Sequence, residues 1–211
     1  MWIYRINMDN YKLNNFIEHI FKLKNIKRTG WISKAKILRA ESVADHSYSL
    51  TALSMIFSDY LGLDTEKVIK MCIIHDLAES IIGDYMPEEI SIGEKQIKED
   101  NAMKIVISSF PDKLTVLYFN IWEEYCLNQT KEARLVKQLD KVEMFLQANQ
   151  YLKNGYSYEF LSPFLHVLDS LEVGEVKQED KEKQEKKENE GKEDHNSNFQ
   201  SILANMLKHL K

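Results

Sequence analysis

Four side chains spread along the chain, His46, His75, Asp76 and Asp140, form a set that can hold a divalent cation. The His75-Asp76 doublet sits in Met71-Cys72-Ile73-Ile74-His75-Asp76-Leu77-Ala78-Glu79, so an imidazole and a carboxylate leave a segment otherwise suited to burial. A carboxylate buried without a partner is expensive. A metal ion would offset that cost and give both groups a purpose. Two neutral imidazoles and two carboxylates make a mixed nitrogen–oxygen donor set, suited to manganese, cobalt, magnesium, iron or zinc in an order the donors do not fix. Two carboxylates bring such an ion close to neutral, and open coordination positions can take water or phosphate oxygens. The chemistry on offer is metal-assisted hydrolysis. Taken singly, each residue has a plainer reading: an inward histidine is usually a hydrogen-bonded core group, and Asp140 could be a buried ion-pair partner. The set and its context carry the argument.

The elements that must position these groups are helices. Only 7 glycines and 3 prolines punctuate the chain, and no segment sustains the period-two alternation of a strand. Phe16, Ile20 and Leu23 mark a first helix, ending before Lys27-Arg28-Thr29-Gly30-Trp31. Ser42 and Asp45 both suit the cap of a second. Its apolar stripe, Leu50, Leu53, Phe57, Tyr60 and Leu61, extended back one turn, lands on His46. Asp64 or Thr65 opens a third helix through Val68, Met71, Cys72 and His75, expected to end near Gly83, after which Pro87 begins a loop or a new helix. Further helical patterns cover about 91–109, 112–128, 130–153 and 157–170. Within 130–153, Val136, Asp140 and Met144 fall at four-residue steps, which puts Asp140 in an otherwise apolar row.

Composition narrows the function classes. At 211 residues, with 44% apolar and 29% charged side chains, the chain suits one soluble domain with an appendage. A formal charge of -5 argues against binding a nucleic acid polymer. Cys72 and Cys126 form neither a disulfide framework nor a zinc-type pair. No stretch approaches a membrane span, and Met1-Trp2-Ile3-Tyr4-Arg5 does not read as a signal peptide, so the expectation is an intracellular (cytoplasmic) soluble protein. Between Lys177 and Asp194 stand 6 lysines and 8 acidic residues, too polar to offset the entropy of ordering, which predicts a disordered insertion. Phe199, Ile202, Leu203, Met206, Leu207 and Leu210 then return with helical spacing.

Five separated motifs in order carry a resemblance to a known family. They are Lys27-Arg28-Thr29-Gly30-Trp31, Glu41-Ser42-Val43-Ala44-Asp45-His46, His75-Asp76-Leu77-Ala78-Glu79, Gly83-Asp84 and Val136-Lys137-Gln138-Leu139-Asp140. Over about residues 14–170 the chain resembles the HD-domain metal-dependent phosphohydrolases, and within them the HD-domain-containing protein 2 group and the bacterial YfbR-type 5'-deoxynucleotidases. The resemblance implies an all-α fold with an HD domain over 9–171; the Lys/Glu-rich insertion over 172–198, which has no counterpart in the family pattern, and the C-terminal amphipathic helix over 199–211 are read from composition and spacing. It implies a homodimer that hydrolyses deoxyribonucleoside 5'-monophosphates to deoxynucleoside and phosphate.

The resemblance also assigns roles. His46, His75, Asp76 and Asp140 would hold the primary metal. Glu79 would position or deprotonate the attacking water, or reach a second ion. Asp84 would contact the sugar 3'-hydroxyl or an additional metal, Arg28 would clamp the phosphate, and Trp31 would pack against the nucleoside. One departure stands out: Thr29-Gly30 separates Arg28 from Trp31, whereas the bacterial enzymes place those residues side by side. Three other readings compete. They are a phosphohydrolase for another nucleotide or phosphate ester, a di-iron oxidase lacking its extra histidine ligands, and an interaction protein that keeps metal for stability. The carboxylate of Glu79 beside the ligands speaks against the last, because a structural site has no need of it.

Overall fold

The computed structural model describes residues 2–86 and 88–167, with side chains from residue 11 onward. Pro87, the 172–198 insertion and the 199–211 helix expected from sequence lie outside the described residues. The described part is all-α, and residues up to Val167 close into one compact unit. Its helices are α1 (Trp2–Leu23), α2 (Thr29–Ser33), α3 (Val43–Leu61), α4 (Thr65–Ile74), α5 (Glu79–Ile82), α6 (Ile92–Ser108), α7 (Asp112–Leu127), α8 (Lys131–Lys153) and α9 (Tyr158–Leu165).

Local chemistry explains where the helices begin. Ser42 caps α3 through a reciprocal capping box with Asp45, which fixes the first turn four residues before His46. Asp64 caps α4 and accepts the Lys67 N–H, Ser91 and Glu94 form a second capping box on α6, and Thr130 caps α8. Gly62 ends α3 at φ 64°, in the left-handed region where glycine meets no Cβ penalty.

Helix α3 packs on α4 and α8, α8 also meets α4, α7 and α9, and α5 is held between α1 and α6. Buried on α3 are Val43, His46, Leu50, Phe57 and Leu61, so the stripe does run back to His46. Tyr60, expected inside, is 66% exposed: it lies about 100° around the helix from the buried neighbour Leu61, past the edge of the stripe. Two further corrections concern the site. The third helix does not run to Gly83: α4 stops at Ile74, His75 is its C-cap, and tight turns lead into the short α5. Trp31, which the sequence pattern assigned to no helix, lies in the five-residue α2.

Candidate metal centre

His46 comes from the first turn of α3, His75 and Asp76 from the break after α4, and Asp140 from the middle of α8. The docking of these elements brings one ligand atom each of His46, His75 and Asp140 within 4.8 Å of one another. Asp76 Oδ2 lies 3.0 Å from His75 Nε2 and 3.9 Å from His46 Nε2, so the fourth expected residue joins the same cluster.

The hydrogen bonds behind the two rings define what they present in front. His46 Nδ1 lies 2.6 Å from Glu143 Oε2, and His75 Nδ1 lies 2.7 Å from the carbonyl oxygen of Cys72. Carboxylate and carbonyl oxygens only accept, so each Nδ1 carries a proton, and in the neutral ring each Nε2 is left with a bare lone pair. Both Nε2 atoms are buried and have no hydrogen-bond partner. His46 Nε2 is 3.2 Å from Asp140 Oδ1, a close approach of charge without hydrogen-bond alignment. Lone pairs facing carboxylates across such distances repel unless a cation lies between them. The donors therefore fit a divalent ion.

Electrostatics express the same demand for positive charge. Burial and Arg28 both work against a proton on His46, yet the carboxylates of Asp140 and Glu143 outweigh them and push its pKa up to about 10. Burial alone would raise the Asp76 and Asp140 carboxyls. The neighbouring imidazoles and the Arg28 guanidinium instead hold both below the usual carboxylate range.

Arg28 reaches this cluster because residues 26–28 pair with 41–43. Arg28 N–H donates to Glu41 O at 3.1 Å, and Val43 N–H to Ile26 O at 2.9 Å. Its guanidinium stands 3.4 Å from Asp76 Oδ2, and the summed field of Asp76, Asp140, Glu79 and Asp84 overcomes the cost of burial to keep it charged. Asp84 ties the same turn from the other side. Its carboxylate accepts the Thr29 N–H, and its carbonyl accepts the Thr29 hydroxyl at 2.7 Å.

Glu79 opens α5, is 5% exposed and leaves Oε2 without a partner. Burial first, then Asp76 and Asp84, drives its pKa well above the ordinary carboxyl value, against the pull of Arg28 and Lys95.

A cavity of about 500 Å³ opens onto these groups, with Arg28, His75, Asp76, Glu79, Asp84 and Asp140 in its walls. Trp31 backs the cavity but is 1% exposed. Its ring packs on Phe164 and Tyr151 with centroids 4.2 and 5.2 Å away, and its indole N–H donates to Glu41 at 2.8 Å. Its main contacts are therefore core contacts, although it belongs to the cavity lining.

Several residues of the site were not read from the sequence. Glu143 braces His46; Glu41 stands beside it, its pKa raised to about 7 by burial and by Glu143. Tyr125 meets the His75 ring edge-on at 5.7 Å, and Lys137 lies over Tyr125 at 4.9 Å. Glu143 had a legible signal: it stands three residues past Asp140, a second carboxylate on the inward face of one helix.

Residues 20–167 match the HD domain family. The chain belongs to the HD-domain family. This HD-domain protein is 37% identical over 145 residues to the 5'-deoxynucleotidase HDDC2 of Danio rerio, covering 68% of this chain and 70% of that one. It is 30% identical over 174 residues to the 5'-deoxynucleotidase YGK1 of Saccharomyces cerevisiae, covering 80% of each. Among solved structures it resembles the PH0347 protein of Pyrococcus horikoshii OT3, with a TM-score of 0.64, 28% identity, and coverage of 93% of this chain and 99% of that one. The HD-domain protein is thus metal-dependent in its family chemistry, with a donor cluster that fits a metal ion. None of its described helices is long and apolar enough to cross a membrane.

Proposed function

We propose that the chain is a metal-dependent 5'-deoxynucleotidase, cleaving deoxyribonucleoside 5'-monophosphates into deoxynucleoside and phosphate. One observation carries the reading: two buried, unpartnered Nε2 atoms face two carboxylates beside a part-buried guanidinium, and Arg28, His75, Asp76 and Asp140 of this cluster line a cavity of about 500 Å³. The curated relatives named 5'-deoxynucleotidase supply the substrate class.

In this reading His46, His75, Asp76 and Asp140 hold the ion. When bound, it supplies Lewis-acid stabilisation of charge at phosphorus and acidifies water. Arg28 takes the phosphate. Its planar fork suits two oxygens at once, and its anchoring to Glu41 keeps the geometry fixed before substrate arrives. Glu79 takes the proton of the attacking water, since burial and neighbouring carboxylates raise its affinity for one. The proton is returned to the 5'-oxygen as the phosphorus–oxygen bond breaks. Asp84, on the cavity wall, meets the sugar 3'-hydroxyl or a second ion shared with Glu79. Trp31 contacts the nucleoside. A homodimer belongs to this reading, and Tyr48, Met55, Ile56 and Tyr60, exposed along α3, are side chains that self-association would cover.

The test is phosphate release from a panel of deoxyribo- and ribonucleoside monophosphates, after chelation and return of manganese, cobalt or magnesium. The expected result is metal-restored hydrolysis of deoxyribonucleotides. Folded, metal-loaded protein that releases phosphate from none of them would overturn the proposal.

A further inference from the structure

The imidazole of His46 is gripped at both ends by a single turn of α8. Asp140 Oδ1 lies 3.2 Å from its Nε2, and Glu143 Oε2, three residues on, lies 2.6 Å from its Nδ1. A helix places residues three apart on one face about one turn from each other, the spacing needed to reach both edges of a five-membered ring. His46 is fully buried and Glu143 is 3% exposed, so the contact between these two is sheltered from water.

We propose that Glu143 is a positioning residue for metal binding. It holds the Nδ1 proton of His46, and so fixes the tautomer and ring angle that turn a bare Nε2 toward the ion. The proposal rests on the reading of His46 as a metal ligand. Its physical basis is that a ring nitrogen's partner decides which nitrogen is free, and that a carboxylate behind the ring makes the free nitrogen more basic. A residue that touches only the far side of a ligand acts on metal affinity first and on turnover through it.

A competing use of the same atoms is a second cation site, since Glu41, His46 and Glu143 each bring one ligand atom within 4.8 Å of the others. The geometry favours the brace. At 2.6 Å the Nδ1 atom of His46 is in hydrogen-bond contact with Glu143, and a nitrogen that donates its proton has no lone pair to give. Glu41, for its part, already accepts the indole N–H of Trp31 at 2.8 Å. The His46 Nδ1 and the Glu41 carboxylate are thus already engaged, by Glu143 and by Trp31.

The experiment compares the full chain with Glu143→Leu and Glu143→Gln variants. Each is stripped with chelator and titrated with zinc or cobalt alone, with no nucleotide present. Glu143→Leu removes the acceptor, and metal affinity is expected to fall about ten- to a hundredfold at unchanged helix content. Glu143→Gln keeps an oxygen for the Nδ1 proton and should lose only about threefold. Long-range proton–nitrogen correlation on the zinc-loaded wild type and Glu143→Gln should show His46 protonated at Nδ1, which settles the matter even if Glu143→Leu fails to fold. Wild-type affinity in a folded Glu143→Leu variant would overturn the proposal. So would zinc on Nδ1, or a second equivalent of metal that Glu143→Leu abolishes. Because none of these readouts uses turnover, the two readings fail separately. A protein that binds metal but hydrolyses no nucleotide sinks the enzyme reading alone, whereas full activity and affinity in Glu143→Leu sinks this one alone.

Discussion

The two histidines of the metal centre both aim an unpartnered Nε2 at the carboxylate cluster and are held from behind in opposite ways. His75 donates to a backbone carbonyl three residues earlier, that of Cys72, so its tautomer is set as soon as the last turn of α4 forms. His46 donates to a side chain 97 positions away, so its tautomer is set only when α3 and α8 dock. One half of the site is thus built by local structure and the other by tertiary packing. The local brace cannot be removed by substitution; the long-range one can. Four expectations break or sharpen that contrast.

The largest effect belongs to the ligands themselves. His75→Ala or Asp76→Ala should abolish phosphate release while far-ultraviolet dichroism keeps its helical signal, because the α4 turn that carries them does not depend on either side chain. Helix loss alongside activity would show that the local half is less self-sufficient than its hydrogen bonds imply.

Next is Glu79→Gln, which should lower kcat by about 10²- to 10⁴-fold with metal affinity nearly unchanged, since the residue lies beside the four ligands and would act on water. A matching fall in metal affinity, measured by titration, would move Glu79 into the ligand set.

A pH experiment separates the histidines more finely. In chelated protein His46 takes up a proton more readily than the ordinary 6.5, its pKa pushed up to about 10 against burial and Arg28 by Asp140 and Glu143. The sign follows from linkage: this contribution to stability is fully present below about pH 6.5 and lost as pH rises through about 10. Thermal melts of chelated protein should fall across that window. Metal should restore stability most at its alkaline end, because the ion displaces the proton. A flat chelated profile over the same range would count against a charged carboxylate grip on His46.

The smallest effect tests how His46 is delivered. Ser42→Ala removes the side-chain cap of α3 and should cost about 1 kcal/mol in chemical denaturation, with kcat little changed. A large loss of activity at that small cost in stability would mean that the first turn of α3, more than α8, aims the ring.

The sequence was legible where chemistry is local or periodic. Inward faces at helical spacing pointed His46 and Asp140 toward the helix-packing side, Ser42 and Asp64 were readable as caps, and the family motifs named four residues that the fold brings together. It misread the continuation of α4, because Leu77, Ala78, Ile81 and Ile82 keep an apolar pattern that helix and tight turns share. His75 keeps helical dihedrals at this boundary, and the Asp76 carboxylate lies 3.0 Å from its Nε2.

What the amino-acid order determined by itself is therefore an all-α HD-domain protein with the side chains for a metal and the caps that start its helices. Which nitrogen of each imidazole is bare, which carboxylate braces and which would bind, and how Arg28 comes to stand beside Asp76 were decided by tertiary structure alone. The reason is physical: helix periodicity and capping act over a few residues, while a proton's place on His46 depends on a group that only packing brings within 2.6 Å.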